Sequence, residues 1–580
     1  MKIRHLRILL ALVPILSFCT KKDPGNNNNN NPPGKTDTTI AIKPQIDPAL
    51  SPTIGFFMND WQEKSFNIPS SFNQTTAPTN TGYTISIDRS NVLTKISRSI
   101  AGNNANGWMG DMISEPNLLN HITALNPHII RFPGGSASDI YFWNAPAYQP
   151  PADAPAKLVN ADGTTTDAGY WYGTNNANWT ISVDKYYQML TQTGNQGLIT
   201  INYGYARYGT TANPVATAAH LAADWVRYDN GRTKYWEIGN ENFGDWEAGY
   251  RINTANNKDG QPEFLTGALY GQHFKVFADS MRKAAQEIGK TIYIGAVASE
   301  ATPPSWGTPT LKGWNTGLFS AAGSTPDYYV VHNYYTNYKT NASAAEILAT
   351  PQSVTGTMMD YVKQAMASAS LPIKPVVLDE WNIFSTGSMQ QVSHINGLHA
   401  VLILGEAIKN QFGLTARWDL VNAWEDGNDH GMFNAGDEPG GVPKWNPRPA
   451  FFHMYYFQKY LGDRLIASSS SSAELVSYAS SFSSGQTAVT LVNKGNNAKS
   501  VEIKISNFKM GSRFYWYTLT GGGDNGEFSR KVIVNGIGPD FISGGPTDYT
   551  NIKPYAATTS NGIKISVPAH SSVFIVVDKG

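Results

Sequence analysis

The fold is indicated first by residues 234–242, which read KYWEIGNEN, and by residues 375–382, which read PVVLDEWN. In each stretch a short apolar run leads directly into carboxylates and amides. A strand that is buried on both faces reads as a continuous apolar run, as in a parallel sheet covered by helices. Both stretches therefore predict inner strands, with polar side chains just past their carboxyl ends.

Six further apolar runs lie around these two, separated by segments with helical patterns. In chain order the eight candidate strands are Lys95–Ala101, His128–Phe132, Leu198–Tyr203, Lys234–Ile238, Ile292–Val297, Tyr328–His332, Val376–Leu378 and Trp418–Val421. Strands that alternate with helices in this number predict an α/β fold, a (β/α)₈ TIM barrel over residues 95–460.

After the serine run at 468–472, the apolar pattern changes to alternation with a period of two. Short candidate strands follow one another there through Gly, Asn and Ser turns, which predicts a C-terminal antiparallel β-sandwich over residues 461–580. Tyr83–Asp88 alternates in the same way. Residues 53–94 are therefore predicted to hold N-terminal strands that partly join the sandwich.

The start of the chain has the pattern of a bacterial export signal. A basic segment at residues 2–7 precedes an apolar run at 8–18, and Cys19 follows directly. The run is too short to span a bilayer stably. Because residues 16–19, LSFC, resemble a lipobox, residues 1–19 are predicted to be a lipoprotein-type signal peptide with lipidation at Cys19. The alternative is an ordinary signal peptide that contains a cysteine.

Residues 20–52 contain six consecutive Asn and a Pro-Pro-Gly sequence. Such a segment buries little apolar area, so it is predicted to be a disordered tether. Together with the lipid it predicts a protein that is secreted across the inner membrane and anchored in the bacterial outer membrane or at the cell surface. The lipid anchor is the one predicted contact with a membrane.

Composition narrows the classes of ligand. The chain has 580 residues with 44 Lys+Arg and 44 Asp+Glu, and 12% of its residues are aromatic against 15% charged. A chain without net positive charge is unsuited to nucleic acid. Few charges and many aromatic rings favour a neutral, polyhydroxylated ligand such as an oligo- or polysaccharide. The single cysteine excludes a disulfide framework and a cysteine-based zinc site, and no cofactor or metal is predicted.

Two carboxylates stand out at the ends of candidate strands four and seven, Glu241 and Glu380. Active residues of barrel enzymes lie at the carboxyl ends of the strands. Two carboxyl groups that converge there suit glycoside hydrolysis, in which one donates a proton to the leaving oxygen and the other attacks the anomeric carbon or activates water. Asn240 is placed to bond a sugar hydroxyl beside the acid.

The Asn240-Glu241 and Glu380-Trp381 pairs resemble those of the clan A retaining glycoside hydrolases. Residues 131–135, RFPGG, residues 332–335, HNYY, and residues 420–422, LVN, further resemble family 51 α-L-arabinofuranosidases over roughly residues 84–460. The resemblance implies that Glu241 is the acid/base and Glu380 the nucleophile, about 5–5.5 Å apart as in a retaining pair. It also implies that Tyr334 orients the nucleophile. Glu380, as a neighbouring charge, is expected to raise the pKa of Glu241.

Three residues depart from the family pattern at positions that line the sugar subsite. Asn106 stands where the family has Glu, Ser136 where it has Asn, and Asp419 where it has Gln. All three are predicted to bind substrate. Their replacement points to a relative whose glycone need not be arabinofuranose.

Other candidates have competing interpretations. His332 is either a substrate-site residue or a packed core histidine. Trp381, Trp418 and Trp424 are either sugar platforms or core filling, and one or two of them are expected in the cleft. Arg131 is expected to pair with a carboxylate beneath the site. The acidic loop at 426–430 lacks the spacing of a calcium loop, so a solvated loop is the default expectation.

These features predict a retaining glycoside hydrolase that acts on plant or algal polysaccharide side chains, most like an α-L-arabinofuranosidase. One alternative keeps both glutamates but changes the substrate to a galactan, glucan or uronate polymer cleaved internally. An alternative of another class is a non-catalytic, surface-anchored glycan-binding lipoprotein, which would have no use for two desolvated carboxylates.

Overall fold

The computed structural model describes residues 42–425 and 429–580. The predicted signal peptide, Cys19 and most of the predicted tether lie outside the described residues, as do residues 426–428 of the acidic loop. No helix within the described ranges is both long and apolar enough for a membrane span.

Eight parallel strands close into a barrel in chain order, which confirms the predicted fold class. The strands are Gly102–Asn104, Ile129–Phe132, Gln196–Ile201, Thr233–Ile238, Tyr293–Val297, Tyr328–Tyr334, Val376–Asn382 and Leu414–Arg417. They are numbered one to eight below. Their carboxyl ends all meet at one end of the barrel, which is therefore the end where loop side chains can converge.

The strands alternate with α-helices that cover the barrel. The helices are Pro116–Leu125, Val183–Thr193, Gly204–Tyr208, Pro214–Asp229, Gly267–Glu287, Pro309–Ala322, Ala344–Ser368, His394–Lys409 and Pro449–Tyr460. Many begin at a Ser or Thr whose side chain accepts a backbone N–H, as Ser182, Thr266 and Ser393 do. These caps satisfy donors that the first helical turn leaves unpaired.

Strands one and eight are not where the apolar runs predicted them. Residues Arg98–Ala101 of the predicted first strand form a 3₁₀ helix, and the strand is Gly102–Asn104. The eighth strand is Leu414–Arg417 and ends before the predicted Trp418–Val421. Both strands are short and carry buried polar residues, so the search for apolar runs selected the neighbouring segments instead.

Eleven strands form a second, mostly antiparallel sheet. They are Asn73–Gln74, Tyr83–Lys95, Arg464–Ser470, Leu475–Ser481, Thr487–Asn493, Lys499–Ser506, Met510–Gly521, Val532–Val534, Tyr555–Thr558, Ile563–Val567 and Ser571–Lys579. Strand Tyr83–Lys95 pairs with two C-terminal strands, one of them in parallel. Strands from both ends of the sheet share one apolar core, so the sheet folds over on itself. The serine run at 468–472 was expected to precede the first C-terminal strand, but it lies partly within the strand Arg464–Ser470.

The segment before the barrel differs from the predictions in two ways. Residues 42–52 lie on the folded body rather than forming a free spacer, because Asp47 accepts hydrogen bonds from Arg464 and Gln45 donates to the backbone of Arg89. The 3₁₀ helix Gly55–Met58 closes the amino-terminal end of the barrel, where Phe57 is fully buried. The opposite end is left for the loops that carry polar side chains.

Smaller elements lie in the connections. They are the strands Tyr141–Phe142, Lys157–Val159, Thr165–Asp167, Trp171–Tyr172, Val421–Asn422 and Phe433–Asn434, and the 3₁₀ helices Met112–Ser114, Ser136–Ile140 and Asp524–Gly526. Lys157–Val159 and Thr165–Asp167 form an antiparallel hairpin in the loop after strand two.

Candidate active site

Strand four ends in a tight turn that carries Asn240 and Glu241. Gly239 has φ +82°, and a Cβ there would lie 1.9 Å from Asn242 Oδ1, so a larger residue would collide with the turn. Glu241 has φ +43°, in the left-handed region that costs a non-glycine residue about 1–2 kcal/mol. Asp139 holds the turn by accepting from the backbone N–H of Asn240 and from Asn242 Nδ2.

Strand seven turns two consecutive carboxylates towards the barrel interior. Its pairing with strand six skips Asp379, since Leu378 and Glu380 pair with consecutive residues of that strand. Such a bulge interrupts the alternation of side chains. Both Asp379 and Glu380 consequently lie near the guanidinium of Arg131, at 3.7 and 2.9 Å.

Arg131 connects the two strand ends beneath the site. It is fully buried and donates to Glu237 Oε1 at 2.5 Å, Glu380 Oε2 at 2.9 Å, Asn104 Oδ1 at 2.9 Å and Asn240 Oδ1 at 2.9 Å. A buried guanidinium that serves several acceptors at fixed angles holds them in one geometry. Arg131 thereby fixes the position of the Glu380 carboxylate relative to the amide of Asn240. Its pairing with carboxylates beneath the site agrees with the sequence prediction.

His332 lies between the two catalytic candidates. Its Nδ1 is 3.0 Å from Glu241 Oε1 and 3.9 Å from Glu380 Oε2, and its Nε2 is 3.2 Å from Asp379 Oδ1. Burial lowers the pKa of His332, but the charge of Glu380 and the contacts with Asp379 and Glu241 raise it by more than burial lowers it. The net pKa is well above its ordinary value. The raised pKa favours the imidazolium form, whose Nδ1 meets Glu241 at hydrogen-bond distance and whose two nitrogens face three carboxylates.

Glu241 differs from the expectation in its protonation. Burial raises the pKa of Glu241, but the hydrogen bond and the charge of His332 lower it more, with a further contribution from the N–H of Trp246. The net pKa is below the ordinary value, whereas the sequence argument expected Glu380 to raise it. The contact with His332 was not evident from the sequence, and its lowering effect on the pKa outweighs the raising effect of burial.

Tyr334 and Glu380 are in direct contact. The Tyr334 hydroxyl donates to Glu380 Oε1 at 2.8 Å, while Arg131 holds Oε2. The ring of Tyr334 stacks on Phe384 with centroids 4.2 Å apart. Both oxygens of Glu380 are thus fixed by donors, and the side chain has little freedom to rotate.

The carboxylates of Glu241 and Glu380 are close neighbours. One ligand atom from each of Glu241, His332 and Glu380 can be chosen so that all three lie within 4.8 Å of one another. Among the described residues this group could hold a metal ion. However, His332 Nδ1 already meets Glu241 at hydrogen-bond distance, which is the arrangement of a proton donor and acceptor rather than of two ligands around one ion.

A cavity of about 850 Å³ opens above these residues at the carboxyl end of the barrel. It is bordered by both glutamates, Asn240, Ser136 and Tyr334 among the predicted residues. Aromatic rings line it as well, and these are Trp108, Trp171, Trp246, Phe384 and Trp418. The hairpin after strand two supplies part of the wall. The combination of paired carboxylates, amides and rings fits a sugar ligand.

Two of the three candidate tryptophan platforms do not border the cavity formed by the described residues. Trp381 is fully buried in the main core, because it follows Glu380 on the strand and its side chain is turned away from the cavity. The ring of Trp424 lies 5.1 Å from the guanidinium of Arg530, and Trp424 does not border the cavity defined by the described residues. The third candidate, Trp418, directly follows strand eight and lies in the cavity wall, in agreement with the expectation of one or two tryptophans there.

Two of the three residues that depart from the family pattern lie behind the wall. Asn106 and Asp419 are fully buried, and Asn106 Nδ2 donates to Asp419 Oδ2 at 2.5 Å. Neither borders the cavity formed by the described residues. The third, Ser136, does border it and donates to Glu247 Oε1 at 2.7 Å. In the acidic loop, the described Asp429 pairs with Arg448.

Sequence reasoning missed several site residues. Glu237 and Asp379 belong to the strand motifs that were quoted, yet they were not assigned to the site. Trp246 and Glu247 follow the acid/base candidate in the same loop, where Trp246 Nε1 donates to Glu241 Oε2 at 3.1 Å. An aromatic and an acidic residue shortly after a strand-end glutamate was the available signal.

Comparisons with known proteins agree with this geometry. Residues 121–346 match the family model described as the α-L-arabinofuranosidase 1 domain. A probable α-L-arabinofuranosidase C of Aspergillus terreus is 22% identical over 306 residues, which are 47% of this chain and 52% of that protein. The chain spans about half the length of the curated relatives it matches.

Solved structures share the fold. The α-L-arabinofuranosidase of Thermotoga maritima, solved as an arabinose complex, has a TM-score of 0.57 at 18% identity, covering 86% of this chain and 100% of that one. A family 51 α-L-arabinofuranosidase of Bifidobacterium longum has a TM-score of 0.59 at 14% identity with the same coverage. These findings confirm the resemblance of this chain to the clan A, family 51 α-L-arabinofuranosidases, with the domain match itself at residues 121–346.

Proposed function

We propose that the protein is a retaining glycoside hydrolase with Glu380 as nucleophile and Glu241 as acid/base. The observation that carries the proposal is the close approach of the pair, in which one oxygen of Glu241 lies within 4.8 Å of one oxygen of Glu380. A retaining pair is about 5–5.5 Å apart, whereas an inverting pair leaves about 6.5–9.5 Å for a water molecule. The relatives and structural neighbours named above are glycoside hydrolases, which supports the same conclusion.

In the first step, a carboxylate oxygen of Glu380 attacks the anomeric carbon while the bond to the leaving oxygen breaks. Tyr334 and Arg131 hold Glu380 so that its attack needs little reorganisation. Glu241 donates a proton to the leaving oxygen. That proton is available at the hydrogen bond between Glu241 Oε1 and His332 Nδ1, because the imidazolium can return it to the carboxylate as Glu380 loses its charge.

In the second step, Glu241 acts as a base. It takes a proton from water, the water oxygen attacks the anomeric carbon, and the ester bond to Glu380 breaks. Two displacements at the same carbon return the original configuration. The same two residues therefore account for both steps.

The proposed substrate is a terminal α-L-arabinofuranosyl side chain of a plant or algal polysaccharide. The family model and the named relatives motivate the sugar, and the ring-lined cavity suits a carbohydrate. A second candidate is another clan A activity on a different sugar or within a polymer chain. It is favoured by Asn106 and Asp419, which bond to each other behind the wall instead of lining the subsite.

Single substitutions test the two roles. Glu380→Ala should abolish hydrolysis of every α-L-arabinofuranoside, since no ester can form. Glu241→Ala should lose activity on poor leaving groups but retain more on 4-nitrophenyl α-L-arabinofuranoside, and added azide should restore part of the rate as the glycosyl azide. Glu287→Ala, which removes a glutamate with a half-exposed side chain that pairs with Arg227, serves as the control. Substantial activity of Glu380→Ala would contradict the assignment.

We also propose export and lipid anchoring through Cys19, on the sequence pattern alone. Cys19→Ser should release the protein from the membrane fraction of the producing bacterium, while specific activity stays unchanged. Unaltered membrane association of that variant would contradict this proposal.

A further inference from the structure

A buried carboxyl group at the border of the cavity, that of Glu247, has no role in the mechanism above. Glu247 is 4% exposed and lies in the loop after strand four. Its Oε1 accepts hydrogen bonds from Ser136 Oγ at 2.7 Å and from Asn240 Nδ2 at 3.0 Å. Its Oε2 is buried without a hydrogen-bond partner among the described residues. A buried carboxyl group in this position needs an explanation, since desolvation is costly.

The environment favours the neutral acid. Burial raises the pKa of Glu247 well above its ordinary value, and the charges of Asp139 and Glu241 raise it further. In a protonated carboxyl group one oxygen is a pure acceptor and the other carries the hydrogen. The two hydrogen bonds that converge on Oε1 identify it as the acceptor.

Asn240 is restrained from three sides. Asp139 accepts from its backbone N–H, Arg131 donates to its Oδ1, and Glu247 accepts from its Nδ2. Arg131 has only donors, so it fixes which end of the amide is oxygen, and Glu247 fixes where the nitrogen points. The second Nδ2 hydrogen has no acceptor among residues 42–425 and 429–580, and the side chain borders the cavity.

The position of Asn240 relative to Glu380 limits what that hydrogen can meet. The same guanidinium holds Asn240 Oδ1 and Glu380 Oε2, each at 2.9 Å. When the anomeric carbon of a sugar lies at Glu380, the nearest substituent on the ring is the hydroxyl on C2. Hydrogen bonds to this hydroxyl strengthen in the transition state of glycoside hydrolysis.

We propose that Glu247 is a positioning residue that orients the amide of Asn240 towards the C2 hydroxyl of the sugar. The proposal rests on the proposed function of the site. It also accounts for Ser136, which stands where the family has Asn. The short side chain of Ser136 donates to Glu247, whereas the longer asparagine side chain would reach into the subsite. Recognition of the C2 hydroxyl is thus shared between Asn240, which touches it, and Glu247, which holds Asn240.

The test compares 4-nitrophenyl α-L-arabinofuranoside with its 2-deoxy counterpart. Glu247→Leu should lower kcat/KM on the parent glycoside about 10- to 100-fold, mainly through kcat, because a misplaced contact acts on the transition state. On the 2-deoxy glycoside the same substitution should change kcat/KM less than about three-fold, since the hydroxyl is gone. Glu247→Gln keeps the acceptor of the neutral acid and should stay within about three-fold of the unmodified enzyme on both.

Glu263→Leu is the matched control, because Glu263 lies in the same loop but pairs with Arg251. Should Glu247→Leu unfold, Glu247→Ala removes the same acceptor without a branched side chain and carries the same comparison. Three outcomes would overturn this inference alone. They are an equal loss of kcat/KM on both glycosides, no loss in Glu247→Leu and Glu247→Ala on the parent glycoside, and a Glu247→Gln variant as impaired as Glu247→Leu. Absence of hydrolysis by the unmodified enzyme would instead overturn the proposed function, and this inference with it.

Discussion

Replacing Tyr334 with Phe removes one hydroxyl and leaves the ring in place. The lost contact is the 2.8 Å hydrogen bond to Glu380 Oε1, while Arg131 still holds Oε2. Because the ring remains stacked on Phe384, the local packing should be preserved. The variant therefore isolates the contribution of one donor to the nucleophile.

The size of the effect follows from the charge of the acceptor. A hydrogen bond to an ionised group contributes about 1.5–3 kcal/mol. If the lost hydrogen bond contributes this much to holding Glu380 in position for attack, kcat/KM should fall about 10- to 150-fold, because each factor of ten corresponds to about 1.4 kcal/mol. The thermal midpoint should change by only a few degrees, since no new cavity larger than one oxygen is formed.

Tyr335→Phe is a matched control for this experiment. Tyr335 is the next residue, is buried, and shares a 2.9 Å hydrogen bond with Thr355, and neither of the two borders the cavity that the described residues form. Initial rates on 4-nitrophenyl α-L-arabinofuranoside should place Tyr335→Phe within about three-fold of the unmodified enzyme. The reasoning is refuted if Tyr334→Phe also stays within three-fold, or if both variants lose activity equally.

Two further predictions concern the charges around the site. Arg131→Met should lower the free energy of unfolding by about 3–5 kcal/mol in urea titrations, because buried carboxylates lose their partner. Arg227→Met, at an exposed ion pair, is the control and should lower it by less than about 1 kcal/mol. Similar losses for the two variants would contradict a stabilising role for the buried hydrogen bonds of Arg131. His332→Gln should shift the alkaline limb of the kcat/KM profile to lower pH. The substitution removes the ring that stores the proton for Glu241 and whose pKa the surrounding carboxylates raise well above its ordinary value. A limb that stays in place or moves to higher pH would contradict this.

The barrel was predictable because its inner strands bury both faces. Val376–Asn382 and Tyr328–Tyr334 are extended in the structure beyond the apolar runs that indicated them. The first strand, Gly102–Asn104, was missed because its side chains serve hydrogen bonds inside the barrel rather than apolar packing; Asn104 donates to the backbone of Asp379. A search for apolar runs cannot detect a strand of that kind.

The catalytic pair was predictable from its position at strand ends, but its surroundings were not. Sequence reasoning treated Glu241 as influenced by Glu380 alone, whereas His332 contacts both and reverses the expected direction of the pKa. The sequence left Trp381 open between a sugar platform and core filling, and the strand places its side chain in the core. Such errors arise because the side of a strand and the contacts between loops depend on the fold, not on spacing along the chain.

Retention of anomeric configuration is the central claim, and the first-formed product tests it most directly. Proton NMR during the first minutes of hydrolysis of 4-nitrophenyl α-L-arabinofuranoside should show the α anomer of arabinose appearing before mutarotation produces the β anomer. This is the result expected for the close Glu241–Glu380 pair acting by two displacements. Initial release of the β anomer would mean a single displacement by water and would contradict the account.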